Sequence, residues 1–295
     1  MDVAVTGAGG FIGRAVCERL RADGRAVRGI DLRGADVAAD VADPGAVAAA
    51  LDGCAAVVHA AAIVEEGGRM EDYVRVNTRG TRNVLDAVGD GRAVVLSSVA
   101  VWGYDFRADQ DEATPPKPCG NPYIDTKGAT ETLALLRGAT VIRPGDVHGP
   151  GSRPWIVRPL EAMRSGTFVL PGRGDGVMTP VYVDDLVDAI VRALDTPGAA
   201  GRAYTVWDGN PVPAREFFAH HARWAGRKLR TVPRPLAVLG ARLTPGIHPD
   251  ALRFVSRAAA YPNARARDEL GWTPRVSLEE GMRRSEAWLR AEGLL

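Results

Sequence analysis

Tyr123 and Lys127 stand four residues apart where a helical pattern begins, and Ser98 ends an apolar run upstream. A free phenol is a poor base near neutrality, with a pKa of about 10. A lysine ammonium one helical turn away favours the phenolate and brings its proton transfer into range. A serine hydroxyl across a cleft can hold the same substrate oxygen. The set suits hydride transfer at a carbinol carbon, where tyrosine takes the O–H proton while a nicotinamide takes hydride from carbon. Tyr-x-x-x-Lys alone also describes two surface residues on one helix face, so its meaning rests on the elements that would position it.

The first of these is Thr6-Gly7-Ala8-Gly9-Gly10-Phe11-Ile12-Gly13. It follows the apolar run Val3–Val5 and leads into Ile12, Ala15, Val16 and Leu20 at helical spacing. A strand, a glycine turn and a helix are the context that a dinucleotide fingerprint needs. Gly7 permits the tight turn, Gly10 lets the backbone approach a pyrophosphate, and Gly13 lets the helix pack close. The phosphates then sit at a helix N-terminus, where free N–H groups favour anions. A second strand, 26–30, ends at Asp31, placed to accept hydrogen bonds from ribose hydroxyls and to repel a 2′-phosphate. That favours NAD over NADP, although Arg33 pulls the other way.

Further strands are expected at 55–58, 93–98, 140–143 and 203–207, separated by helices from Pro44 to Leu51, Met70 to Val88 and Tyr123 to Leu136. The small residues Ala60, Ala61 and Ala62 after one strand leave room for a ligand, and Ser97 and Ser98 tip another. Asn77 is a polar group on an otherwise buried helical stripe and needs a partner. His59 at a strand end reads as structural. The loop between Ser98 and Tyr123 is proline-rich and of a length that usually has a function.

Composition bounds the partners. Lysine and arginine number 37 against 36 acids, a net charge of +1, so no bulk field recruits nucleic acid or membrane. No apolar run reaches spanning length. Three cysteines without metal spacing, and a chain that enters a strand at once, suit a cytoplasmic protein. The adjacent His220 and His221 have no acid or thiol at ligand spacing, so no metal is expected.

These pieces together resemble the extended short-chain dehydrogenases/reductases, the superfamily of NAD-dependent epimerases, dehydratases and hydroxysteroid-dehydrogenase-like enzymes. The resemblance rests on Thr6–Gly13, Asp31, Asp40-Val41, His59–Ala62, Asn77 with Gly80, Ser97-Ser98, Tyr123–Lys127, Arg143–Pro150, Val181–Asp185 and Leu270–Pro274. It implies that Ser98, Tyr123 and Lys127 are catalytic, with Lys127 also on the nicotinamide ribose, and that Asp40 and Val41 flank the adenine. It implies a homodimer through the helices carrying Asn77 and Tyr123. Val99 and Ala100 stand where dehydratases of this family carry an Asp-Glu pair, which speaks against dehydration. Asp146 stands where many sugar-nucleotide epimerases place Asn, near the substrate diphosphate, and an anion there works against such a ligand. The stretch from Leu252 to Arg257 before Tyr261-Pro262 is similar to the hydroxysteroid-dehydrogenase-like branch.

The expected fold is α/β, a doubly wound parallel sheet (Rossmann) with a smaller C-terminal substrate lobe. Residues 1–150 and 175–207 form the dinucleotide domain, and 151–174 with 208–295 the lobe. The expected activity is NAD-dependent hydride transfer between nicotinamide and a secondary alcohol or ketone of a small molecule. The alternatives are a sugar-nucleotide epimerase with tightly held NAD, and a nucleotide sensor without catalysis. Trp102, Tyr104, Phe106, Trp155 and Met178 are expected as apolar substrate walls, with Asp146 and His148 among the polar groups. Arg153, Arg158, Arg173, Arg215 and Arg257 are the cations that a diphosphate would need.

Overall fold

The computed structural model describes residues 2–64, 67–104, 106–108, 111–243 and 249–295. Its first half alternates β1 (Val3–Thr6), α1 (Phe11–Ala22), β2 (Val27–Asp31), β3 (Val37–Ala38), α2 (Pro44–Leu51) and β4 (Ala56–His59). A continuous helical stretch follows, comprising α3 (Met70–Tyr73), a π-helical segment Val74–Arg79 and α4 (Gly80–Val88). Then come β5 (Arg92–Leu96), α5 (Pro122–Leu136) and β6 (Thr140–Pro144). Their short valine-rich runs are buried on both faces, which a strand tolerates only when helices cover both sides of its sheet. Val3, Val5, Val57 and Val58 are wholly buried, each contributing about 1.5–3 kcal/mol of transfer free energy.

The remaining elements are β7 (Asp146–His148), α6 (Arg158–Arg164), β8 (Leu170–Pro171), β9 (Val177–Met178), β10 (Pro180–Tyr182), α7 (Val183–Asp195) and β11 (Ala203–Val206). After them run β12 (Val212–Pro213), α8 (Ala214–Trp224), β13 (Thr231–Val232), α9 (Arg234–Leu243), α10 (Pro249–Phe254), α11 (Ala264–Leu270) and α12 (Leu278–Ala291). Seven strands join in the order β11-β6-β5-β4-β1-β2-β3, all pairs parallel. The order reverses between β1 and β4, so a crevice opens outside their carboxyl ends, where ligands of such sheets bind. α1 and α7 cover one face; α2, α4 and α5 cover the other.

Capping explains where the helices begin. Asp43 accepts hydrogen bonds from the Gly45 and Ala46 amides, and Pro44 follows it at the first helical position. Asn121 does the same for Tyr123 and Ile124, with Pro122 next. α1 differs, since its N-cap is Gly10 and no side chain satisfies its first amides. A second core, built from α6, α8 and α12 with Leu170 and Met178, fills the smaller lobe. Ala266, Leu270 and Trp272, numbered with the lobe in the sequence reading, pack instead in the main core with α7 and β11. Trp272 donates to the Asp185 carbonyl at 2.8 Å, while the Asp185 carboxylate accepts from the Arg275 and Val276 amides.

Candidate active site

The glycine turn is shaped for a close approach. Gly7 holds φ +74°, and a Cβ there would lie 2.7 Å from the Ala61 amide nitrogen. A Cβ on Gly13 would collide with the Gly7 carbonyl oxygen. The unsatisfied amides at the start of α1 therefore face a cradle that side chains would fill. Asp31 closes β2 beside it and accepts from Gly9 at 3.0 Å and Leu32 at 2.6 Å. Asp40 accepts from the Ala42 amide and pairs with Arg75 at 3.1 Å.

A cavity of about 1530 Å³ runs from this turn into the lobe. Of the residues expected at the cofactor, Gly7, Gly10, Phe11, Ile12, Gly13, Asp31, Asp40, Val41, Ala60, Ala61, Ala62, Ser97, Tyr123 and Lys127 line it. Asn77 does not. It is buried one layer back, where its amide brackets Ile63, accepting from the Ile63 N–H at 2.8 Å and donating to its carbonyl at 3.1 Å. It also donates to Thr126 at 3.1 Å. Asn77 thus fixes the chain that lines the cavity, and the polar group on a buried stripe has its partners.

Ser98, Tyr123 and Lys127 meet on the cavity floor. The Ser98 hydroxyl accepts from the Ala100 amide at 3.1 Å and lies near the Tyr123 phenol. Burial pushes the phenol above its ordinary value, and the nearby Ser98 hydroxyl works against that rise. Burial alone lowers the Lys127 ammonium to about 8. Its nitrogen donates to the Leu96 carbonyl at 2.6 Å, so here the cation is held by β5 rather than spent on the phenol, a difference from the sequence expectation. His59 is structural. Its ring bridges Thr6 at 2.6 Å and Thr81 at 2.9 Å, and burial, aided by the Lys127 charge, lowers it to about 3.

The expected substrate residues divide. Asp146 and Trp155 line the cavity, whereas Trp102, His148 and Met178 do not, which corrects their placement. Trp102 is core. It packs tilted against Phe106 at 5.0 Å, stacks with Tyr261 at 5.5 Å, lies under the Arg143 guanidinium, and donates to the Thr114 carbonyl at 2.8 Å. His148 is buried against Tyr182 and Phe217. Met178 sits behind Arg257, with its sulfur 3.9 Å from Nη2. Tyr104 and Phe106 also lie off the cavity, Tyr104 edge-on to Phe254. A large aromatic reads the same in sequence whether it faces a cavity or packs behind one. The apolar wall comes instead from Phe168, Val169, Leu236, Ala237, Ala241 and Phe254, which carried no pattern that marks a pocket.

Asp146 is not a free anion. Its Oδ2 accepts from the Thr179 amide at 2.7 Å and from Arg257 at 2.5 Å, and both partners of the ion pair are buried. Of the other arginines considered, Arg158 lines the cavity from an exposed position, and Arg153, Arg173 and Arg215 are exposed outside it. A second buried pair stands behind α5, where Glu131 takes two nitrogens of Arg143 and the Ser97 hydroxyl at 2.8 Å.

Comparison with known proteins agrees with this geometry. The sequence profile of the NAD dependent epimerase/dehydratase family matches residues 3–206. A 2-alkyl-3-oxoalkanoate reductase from Stenotrophomonas maltophilia is 31% identical, covering 97% of this chain and 99% of that protein. A UDP-glucose 4-epimerase from Mycolicibacterium smegmatis is also 31% identical, covering 98% and 99%. Among solved structures, MoeE5 in complex with UDP-glucose and NAD superposes with a TM-score of 0.80 at 27% identity, covering 99% of both chains.

Proposed function

The chain belongs to the NAD-dependent epimerase/dehydratase family, and we propose that within it the protein is a dehydrogenase or ketoreductase of a secondary alcohol or ketone with a largely apolar body. NAD is the cofactor, and the cradle at Gly7 and Gly13 beside Asp31 fits it. When bound, it accepts hydride from a carbinol carbon or returns it to a carbonyl. Tyr123 takes or gives the proton at the substrate oxygen, Ser98 holds that oxygen, and Lys127 supplies positive charge beneath them. The observation that carries the reading is that Ser98, Tyr123 and Lys127 line the same cavity as the glycine turn. Val99 and Ala100 line the cavity beside Ser98 and carry no titratable group, so no second proton relay for dehydration stands there.

The epimerase reading keeps support from the similarity to a UDP-glucose 4-epimerase and to MoeE5. The repulsion expected from Asp146 no longer argues against it, because Arg257 neutralises that carboxylate. The apolar wall contributed by the lobe is what favours an apolar substrate instead. NADH release against a panel of secondary alcohols and UDP- or dTDP-sugars tests the choice. Sugar interconversion without net NADH, together with micromolar UDP binding by the NAD-loaded protein, would promote the epimerase.

The division into a dinucleotide domain and a substrate lobe is part of this proposal, as are a cytoplasmic location and a homodimer through the helices bearing Asn77 and Tyr123. Light scattering tests the dimer. Among the described residues no helix is long and apolar enough to cross a membrane.

A further inference from the structure

We infer that one flank of α9 lies on an anionic lipid surface. Leu236, Leu239 and Leu243 are 59%, 53% and 74% exposed. They recur at i, i+3 and i+7, so they form one stripe along the helix. On its other side Ala237 and Ala241 are buried and anchor it. A lone exposed leucine needs no explanation, but three in line on a ten-residue helix make a continuous apolar edge. Leu236 both lines the cavity and is exposed, which places α9 at the cavity's opening.

Charge says what covers this edge. Between Glu216 and Asp250 the sequence has no acid. Arg227, Lys228, Arg230, Arg234 and Arg242 are exposed there, and among the described residues none of the five has an ion-pair partner. Arg234 and Arg242 bracket the first two leucines in sequence, and Arg230 lines the cavity with Leu236. The exposed acids of adjoining segments, Glu161 and Asp175, each have an exposed arginine close in sequence, Arg164 and Arg173. The net charge of +1 gives no bulk field, so the excess of cations is local. Leucines on one flank with cations around them suit the boundary between headgroups and acyl chains. The leucines enter the apolar layer, while the charged heads stay at the phosphates with their stems along the apolar surface. Each cation near an anionic leaflet strengthens binding about fivefold.

A second copy or another protein fits less well. A stable interface needs about 800 Å² on each side around a packed centre poor in charge. The leucines form only a narrow stripe with cations next to it, and a bilayer asks for no complementary shape. Crossing a bilayer takes about 20 residues, so the ten of α9 lie on the surface. On the dehydrogenase reading above, an apolar alcohol or ketone dissolved in the bilayer then enters the cavity past Leu236.

Flotation of the NAD-loaded protein with lipid vesicles tests the surface. Equal parts of phosphatidylglycerol and phosphatidylcholine should bind it at least about tenfold more tightly than phosphatidylcholine alone. At about 1 M salt, where the Debye length is about 3 Å, that preference should vanish. Leu239→Ser with Leu243→Ser removes most of the apolar edge and should weaken binding at least about tenfold. Lys228→Glu with Arg242→Glu should weaken it at least about 25-fold. Thermal melts and NAD titrations should match the wild type in both variants, because all four side chains are exposed and off the cavity. Equal flotation with the two vesicles, no flotation, or flotation unchanged in either variant overturns the inference. An oligomer that the leucine changes disperse, with no flotation, would make the stripe an interface between copies and overturn it too. Should a variant melt early, the lipid and salt comparisons on the wild type decide. NADH release from water-soluble alcohols is a separate readout, so failure of the dehydrogenase reading and failure of vesicle binding are told apart.

Discussion

The Gly9 amide donates to Oδ2 of Asp31 at 3.0 Å, so the acid that ends β2 also braces the glycine turn that follows β1. One carboxylate thus links the shape of the phosphate cradle to the side of the cavity where a ribose would lie. NAD should bind more tightly than NADP, and Asp31→Ala should narrow the gap while weakening both, because turn support is lost along with the repulsion. Fluorescence titration of the two dinucleotides checks this. Preference of the wild type for NADP would show that Arg33 dominates.

The proton relay makes a graded set of outcomes. Tyr123→Phe removes only the hydroxyl and should abolish turnover with NAD binding nearly intact. Lys127→Ala should harm both. Ser98→Ala should cost about 10²-fold in kcat, the loss of one hydrogen bond to a developing oxyanion. Stopped-flow rates with parallel NAD titrations separate the three, and a Tyr123→Phe enzyme of near-normal rate refutes the assignment.

Behind the site, Glu131 and Arg143 form a buried pair that also holds the Ser97 hydroxyl. Glu131→Gln leaves the Arg143 cation without its anion and should cost about 3–5 kcal/mol. Urea melts should show it, and adding Arg143→Met should recover part of the loss. A neutral effect of the single change would mean that the pair is idle.

Acid stability should follow the buried imidazoles. Burial lowers His59 to about 3, His148 to about 4 and His221 to about 3, all from 6.5. Below 6.5 the unfolded chain binds protons that the native state refuses, so their contribution is complete above 6.5 and is lost as pH falls toward 4. Lys127, lowered to about 8 from 10.5, acts at the other end, and stability should rise across that interval. Tm measured from pH 7 to 4.5 should fall, less steeply in His148→Leu. An unchanged slope in that variant would show that His148 is already charged in the fold.

Periodicity and punctuation alone settled much of this protein. Val3–Thr6 with Gly7 and Gly13 can be little else than a strand, a tight turn and a helix, because sterics and backbone hydrogen bonding act over a few residues. The same locality made the helix expected from Tyr123 legible, and with it the shared face of Tyr123 and Lys127, although the helix begins one residue earlier, at Pro122. The direction of a side chain within the packed whole was not legible. Trp102, His148 and Met178 are apolar or amphipathic groups whose burial is certain but whose neighbours are chosen by distant segments, Tyr261, Gly281 and Arg257 among them. The lining of the lobe by α9 and α10 was hidden for the same reason. The state of Asp146 was decided by tertiary structure too. Its charge is fixed by chemistry, but whether it repels a ligand or anchors an arginine depends on Arg257, which only folding brings within 2.5 Å.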